Sequence, residues 1–127
     1  MPYEISFTKK LAIQNAGKYV NECCWGGNVV RDELLPLIAG NFQKIQTDQE
    51  DWGWFIWFRK GPVYLTIDIV CDDPASGKFR IHLTSRTKKF RLFNRVADTQ
   101  DLERLREMVC SKIEAWAESC RVERVER

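Results

Sequence analysis

Residues 52–73, WGWFIWFRKGPVYLTIDIVCDD, form the densest run of aromatic and β-branched side chains in the chain, and their reading decides the fold. Side chains alternate faces along a strand, so a β-hairpin can be tested by parity. A two-residue turn at Lys60-Gly61, with glycine supplying positive φ and Pro62 opening the second strand, sets Phe58 opposite Val63. Ile56 then faces Leu65, Trp54 faces Ile67 and Trp52 faces Ile69, so one face is wholly apolar. The other face brings Trp57 beside Tyr64, Phe55 beside Thr66 and Gly53 beside Asp68. A three-residue loop would mix the two faces.

The parity extends forward. DDPASGK, residues 72–78, is a turn-rich connection, after which Phe79, Ile81 and Leu83 alternate with Arg80, His82 and Thr84. With Cys71 opposite Phe79, Ile69 meets Ile81 and Ile67 meets Leu83 on the apolar face. Asp68 meets His82 and Tyr64 meets Arg86 on the mixed face. A turn at Thr87-Lys88 and a further strand to Val96 place Phe90 and Leu92 with the core, and Lys89 and Arg91 on the mixed face.

The flanking segments are read in the same way. Tyr3, Ile5 and Phe7 alternate with Glu4, Ser6 and Thr8, a short half-buried strand suited to a sheet edge. Ala12, Ala16, Tyr19, Val20 and Cys23 recur at helical spacing and predict a helix from Lys10, against the ~1 kcal/mol that Gly17 costs inside one. Asn28 is typed to cap a second helix with the stripe Val30, Leu34, Leu37 and Ile38, kinked or shortened by Pro36 and ended by Gly40-Asn41. A weak polar strand over 41–47 and an acidic loop over 48–51 follow.

At the C-terminal end, Asp98 or Thr99 caps a long helix whose stripe is Leu102, Leu105, Val109, Ile113, Trp116 and Cys120. It is predicted to reach Arg121, leaving VERVER frayed. The fold class expected is α+β: a single antiparallel sheet of four to six strands, centred on a meander over 52–96. That sheet packs on the long C-terminal helix and on N-terminal helices in one domain, 1–127.

Composition excludes several function classes. With 44% hydrophobic and 30% charged residues, the 127-residue chain is neither disordered nor of low complexity. No apolar run approaches the ~20 residues of a membrane span, and MPYEISFTKK lacks the apolar core of a signal peptide, so a cytoplasmic protein without membrane contact is expected. Five cysteines at spacings of 1, 47, 39 and 10 fit neither a disulfide framework nor paired zinc knuckles, so reduced thiols and no metal are expected. Gly26-Gly27 lacks the further glycine or lysine of a phosphate-cradling loop, and no cofactor is implied.

Charge is the feature with functional content. Residues 78–95 contain seven Lys or Arg and no Asp or Glu; of 20 basic and 18 acidic residues in all, the remainder holds 13 against 18, or −5. The near-neutral total therefore conceals a dipolar distribution. Parity puts Arg80, His82, Arg86, Lys89 and Arg91 on one face with Phe55, Trp57 and Tyr64, a cationic surface with stacking groups. It suits an anionic partner: an acidic protein, a small anion or nucleic acid. The leading expectation is a non-catalytic binding module using this face, although an antiparallel sheet needs a polar outer face whatever its function.

Two other readings stand beside it. Asp68 beside the sole histidine, His82, is an arrangement that can orient a general base in a small hydrolase, but no activated nucleophile accompanies it and a structural pair is the simpler reading. The element order of strand, helices, meander and long helix resembles that of helix-grip ligand-binding domains, which implies a small-ligand pocket between the sheet and the C-terminal helix.

Overall fold

The computed structural model describes residues 3–13, 16–89, 93–96 and 99–125, with backbone alone at 16, 88–89 and 93–96. Its architecture is α+β. The strands are β1 (Tyr3–Thr8), β2 (Gln43–Glu50), β3 (Gly53–Lys60), β4 (Val63–Asp73), β5 (Lys78–Lys89), β6 (Phe93–Val96) and β7 (Ser119–Arg124); the helices are α1 (Gly27–Ala39) and α2 (Gln100–Trp116). Every pairing is antiparallel, in the order β2-β3-β4-β5-β1-β7, and β6 pairs with β5 off that path.

The central meander keeps the expected faces, with one shift of register. Lys60 pairs with Val63, Phe58 with Leu65, Ile56 with Ile67 and Trp54 with Ile69, so the turn is Gly61-Pro62 rather than Lys60-Gly61. The displacement is two residues, which preserves parity. Gly61 takes φ 57 at the first turn position, and Pro62, with no N–H to give to a ladder, sits in the turn instead of the strand. Between β4 and β5 the pairs Cys71–Phe79, Ile69–Ile81, Ile67–Leu83, Asp68–His82 and Tyr64–Arg86 form as expected.

Elsewhere nonlocal pairing alters the reading. β1 is an interior strand between β5 and β7, not an edge. β5 continues through Thr87-Lys88, which pair with Arg95 and Asn94 of β6, so no turn falls there. The positions Phe90, Arg91 and Leu92 lie outside the described residues, as does the side chain of Lys89. β2 runs on to Glu50 through the stretch read as an acidic loop, and the turn is Asp51-Trp52. α2 stops at Trp116; residues 119–121, expected as its end, and 122–124, expected to fray, form β7, whose Cys120 and Val122 pair with Phe7 and Ile5.

Among the described residues, the helix predicted from Lys10 is replaced by irregular chain over 10–13 and by 3-10 turns at Ala16–Lys18 and Glu22–Cys24. Polar side chains hold this backbone in place of helical hydrogen bonds. The Gln49 carboxamide accepts from Val20 N at 3.0 Å and donates to Lys18 O at 3.0 Å, and Asn21 Oδ1 accepts from Cys23 N at 3.0 Å. α1 is capped by Gly26 at φ 72 rather than by Asn28, whose side chain instead accepts from the Tyr19 hydroxyl at 2.6 Å. Pro36 sits inside α1 without ending it. The helix terminates where expected, with Asn41 Nδ2 donating to Leu37 O at 2.8 Å.

Both helices lie on the same side of the sheet. Val30, Leu34 and Ile38 of α1 and Leu102, Leu105, Val109 and Ile113 of α2 are fully buried against Ile5, Ile56, Leu65, Ile67, Ile69, Ile81 and Leu83. This is one continuous apolar layer, in which truncating a buried Ile or Leu to Ala costs about 2–5 kcal/mol. α2 is joined to the sheet at its cap: Thr99 Oγ1 accepts from Leu102 N and donates to the buried Ser85 Oγ at 3.1 Å. Ser85 falls on β5 between the stretch paired with β1 and the stretch paired with β6. Among the described residues, no helix is long and apolar enough to cross a membrane.

Candidate binding face

With both helices on one side, the outer face of the sheet is covered by no helix among the described residues. Its side chains form rows across the strands. At one end Arg59, Tyr64 and Arg86 stand side by side on β3, β4 and β5; the next row is Gln46, Trp57, Thr66 and Thr84. The third row crosses six strands as Asp48, Phe55, Asp68, His82, Glu4 and Glu123, and the fourth is led by Arg80, Ser6 and Arg121.

The first two rows bring together Trp57, Tyr64 and Arg86 of the groups expected there, with Phe55 in the adjoining third row. Trp57 is 40% exposed, and its ring stacks on Phe55 with centroids 4.1 Å apart. Phe55 is 7% exposed and so acts as a support rather than a contact surface. The Arg59 guanidinium lies 5.2 Å from the Tyr64 ring centroid, a cation–π geometry, and Arg86 is exposed beside it. Parity already puts Arg59 on this face, and the shifted register gives it Tyr64 as its neighbour in place of Pro62.

The third row divides the face. His82 Nε2 is 2.8 Å from Glu4 Oε1, and Arg80 Nη1 is 3.3 Å from the same oxygen. Arg80 Nε also donates to Asp72 Oδ2 at 2.7 Å. These contacts, the His82 hydrogen bond first and Arg80 after it, hold the Glu4 carboxyl below the usual carboxylate range. Asp68 is the opposite case: burial pushes its carboxyl up, against an indole N–H from Trp57 at 3.4 Å and the charges of His82 and Arg86. Arg80 and His82 are therefore engaged with β1, away from the aromatic end. Glu4 was invisible to the sequence reading because its partners are 76 and 78 residues away.

The imidazole's hydrogen bond thus goes to a carboxylate, and with Glu4 ionised Nε2 carries the hydrogen. No Ser, Thr or Cys hydrogen-bonds to His82 among the described residues. Burial pushes the thiols of Cys71 and Cys110 up to about 12 and about 11, which keeps them protonated. No group of three or more His, Cys, Asp or Glu is placed to hold a metal ion among the described residues. In the layer between helices and sheet, Ile56, Ile67, Leu105, Val109 and Ile113 have no accessible surface, so packed side chains fill the space around them. Comparison with protein-family models, with curated proteins and with solved structures finds no match to this chain.

Proposed function

We propose that the chain is a non-catalytic binding module that presents the aromatic end of the sheet face opposite its helices to an anionic partner. The observation that supports this reading most directly is Trp57, 40% exposed at the centre of a strand and braced from beneath by Phe55. An indole held in that way offers a large rigid surface at little cost in conformational entropy. Arg59 and Arg86 flank it across the adjoining row, and the charge of +7 over residues 78–95 supplies the longer-range attraction.

The test is fluorescence anisotropy with two labelled polyanions at low salt, oligo-dT, which carries bases, and polyglutamate, which does not. The expected result is saturable binding of at least one, weakened by Trp57→Ala in a protein whose circular dichroism is unchanged. Trp57→Ala binding either probe as well as the parent chain overturns the proposal.

A further inference from the structure

At the opposite end of the outer face, β5, β1 and β7 enclose a shallow groove of about 270 Å³. We propose that it is a binding site for a phosphate group. The site is independent of the aromatic end, since Arg86 and Arg80 are six residues apart along β5, roughly 20 Å at strand rise.

The groove is a grid of polar side chains set by register. Ser6 and Thr8 of β1 form its floor; Ser6 pairs with Arg80 on one flank and Arg121 on the other, and Thr8 pairs with Lys78 and Ser119. Adjacent strands lie about 4.8 Å apart, so three cations and three hydroxyls converge on a patch the size of a tetrahedral oxyanion with a short stem. The volume is small beside the roughly 300–1,000 Å³ of pockets that take drug-sized ligands. Among the described residues, the hydroxyls of Ser6, Thr8 and Ser119 have no hydrogen-bond partner in the protein, so all three can donate to a bound oxygen.

Arg80 is the preorganised element. Its Nε is fixed on Asp72 and its Nη1 on Glu4, which orients the guanidinium plane and leaves Nη2 uncommitted. Asp72 also lines the groove, so the lining carries Lys78, Arg80 and Arg121 against one carboxylate. Glu4 and Glu123 stand one row further along, the latter paired with Arg121 at 2.6 Å. With Arg80 paired to Asp72 and Glu4, and Arg121 to Glu123, the groove selects by number of donors rather than by net charge: the Lys78 ammonium, Arg80 Nη2 and three hydroxyls suit an oxyanion with three terminal oxygens, and a carboxylate has too few oxygens to reach both flanks.

The test follows backbone amide shifts by NMR during titration with inorganic phosphate and, separately, with O-phosphoserine, against a sodium chloride control of equal ionic strength. Saturable shifts are expected at Ser6, Thr8, Lys78 and Ser119, without matching shifts at Trp57 and Tyr64. Equal affinity for the two probes places recognition in the phosphate alone, and tighter phosphoserine adds a contribution from its stem; either outcome supports the site. Lys78→Glu with Arg121→Glu, both exposed positions, is expected to weaken binding by about tenfold or more in a protein with an otherwise unchanged spectrum. Shifts that track the chloride control, or affinity unaffected by the double substitution, overturn the proposal and leave the aromatic end of the face untouched.

Discussion

His82 stands directly opposite Asp68 across β4 and β5, yet its imidazole reaches the other way, to Glu4 on β1, with Nε2 2.8 Å from Oε1. The two carboxyls that flank the histidine are shifted in opposite directions, Glu4 by its hydrogen bond to His82 and Asp68 by burial. Glu4 is hydrogen-bonded and held low, so it adds stability above its ordinary value of 4.5 that is lost as pH falls through its lower folded value. Asp68 is desolvated and pushed above 3.8, so its ionisation opposes folding at neutral pH.

Asp68→Asn is therefore expected to raise the urea midpoint at pH 7, because the amide removes a desolvated charge while its oxygen can still accept from the Trp57 indole. The gain should shrink as pH falls through the raised folded value and vanish below 3.8, where both states carry the neutral acid. Urea melts of both proteins from pH 3 to 7 measure it. A variant less stable than the parent at pH 7 would mean that the ionised carboxylate is favourably paired.

Two glycines should behave oppositely when a methyl group is added. Gly53 opens β3 at φ 154, and a Cβ there would lie 2.1 Å from the Ile69 carbonyl oxygen. Gly53→Ala is expected to cost about 2 kcal/mol or more, since backbone rather than a flexible side chain must give way. Gly40 has φ −86 and nothing within 4 Å of such an atom, so Gly40→Ala should stabilise by about 0.4–1 kcal/mol through the unfolded chain. Denaturant midpoints of the pair decide; similar losses at both sites would contradict the geometry.

β7 supplies a third prediction. Val122 faces Ile5 across the sheet and packs against the core, so Val122→Asp should cost about 1–3 kcal/mol and raise hydrogen exchange at the β1 amides. If the segment were frayed, neither quantity would move.

The strands between Gly53 and Leu83 were legible in the sequence because alternation, turn chemistry and charge all gave one answer there, and a two-residue error in turn placement left the faces intact. The four pairs from Cys71–Phe79 to Asp68–His82 could be read for that reason. β7 was not legible: Trp116 and Cys120 continue the helical stripe, and only the partnership with β1, more than 100 residues away, makes Cys120 and Val122 a strand. Lys10 to Cys23 failed for a related reason, since Gln49, from a distant strand, holds backbone groups that a helix would use. Within the candidate face, Trp57, Tyr64 and Arg86 follow from local parity. Glu4, which engages Arg80 and His82, follows only from the strand order.

Binding of an anionic partner by the aromatic end of the outer sheet face is measured through the salt dependence of oligo-dT and polyglutamate binding. The comparison is between Arg59→Glu with Arg86→Glu and a control substitution at Arg104, an exposed position on α2. Binding of at least one polyanion at low salt is expected. For oligo-dT, removing two cationic contacts should flatten the log–log salt slope by roughly 1.4 or more, while Arg104→Glu leaves it nearly unchanged. Equal effects of the double substitution and the control, or no binding of either polyanion at low salt, would contradict binding by that face.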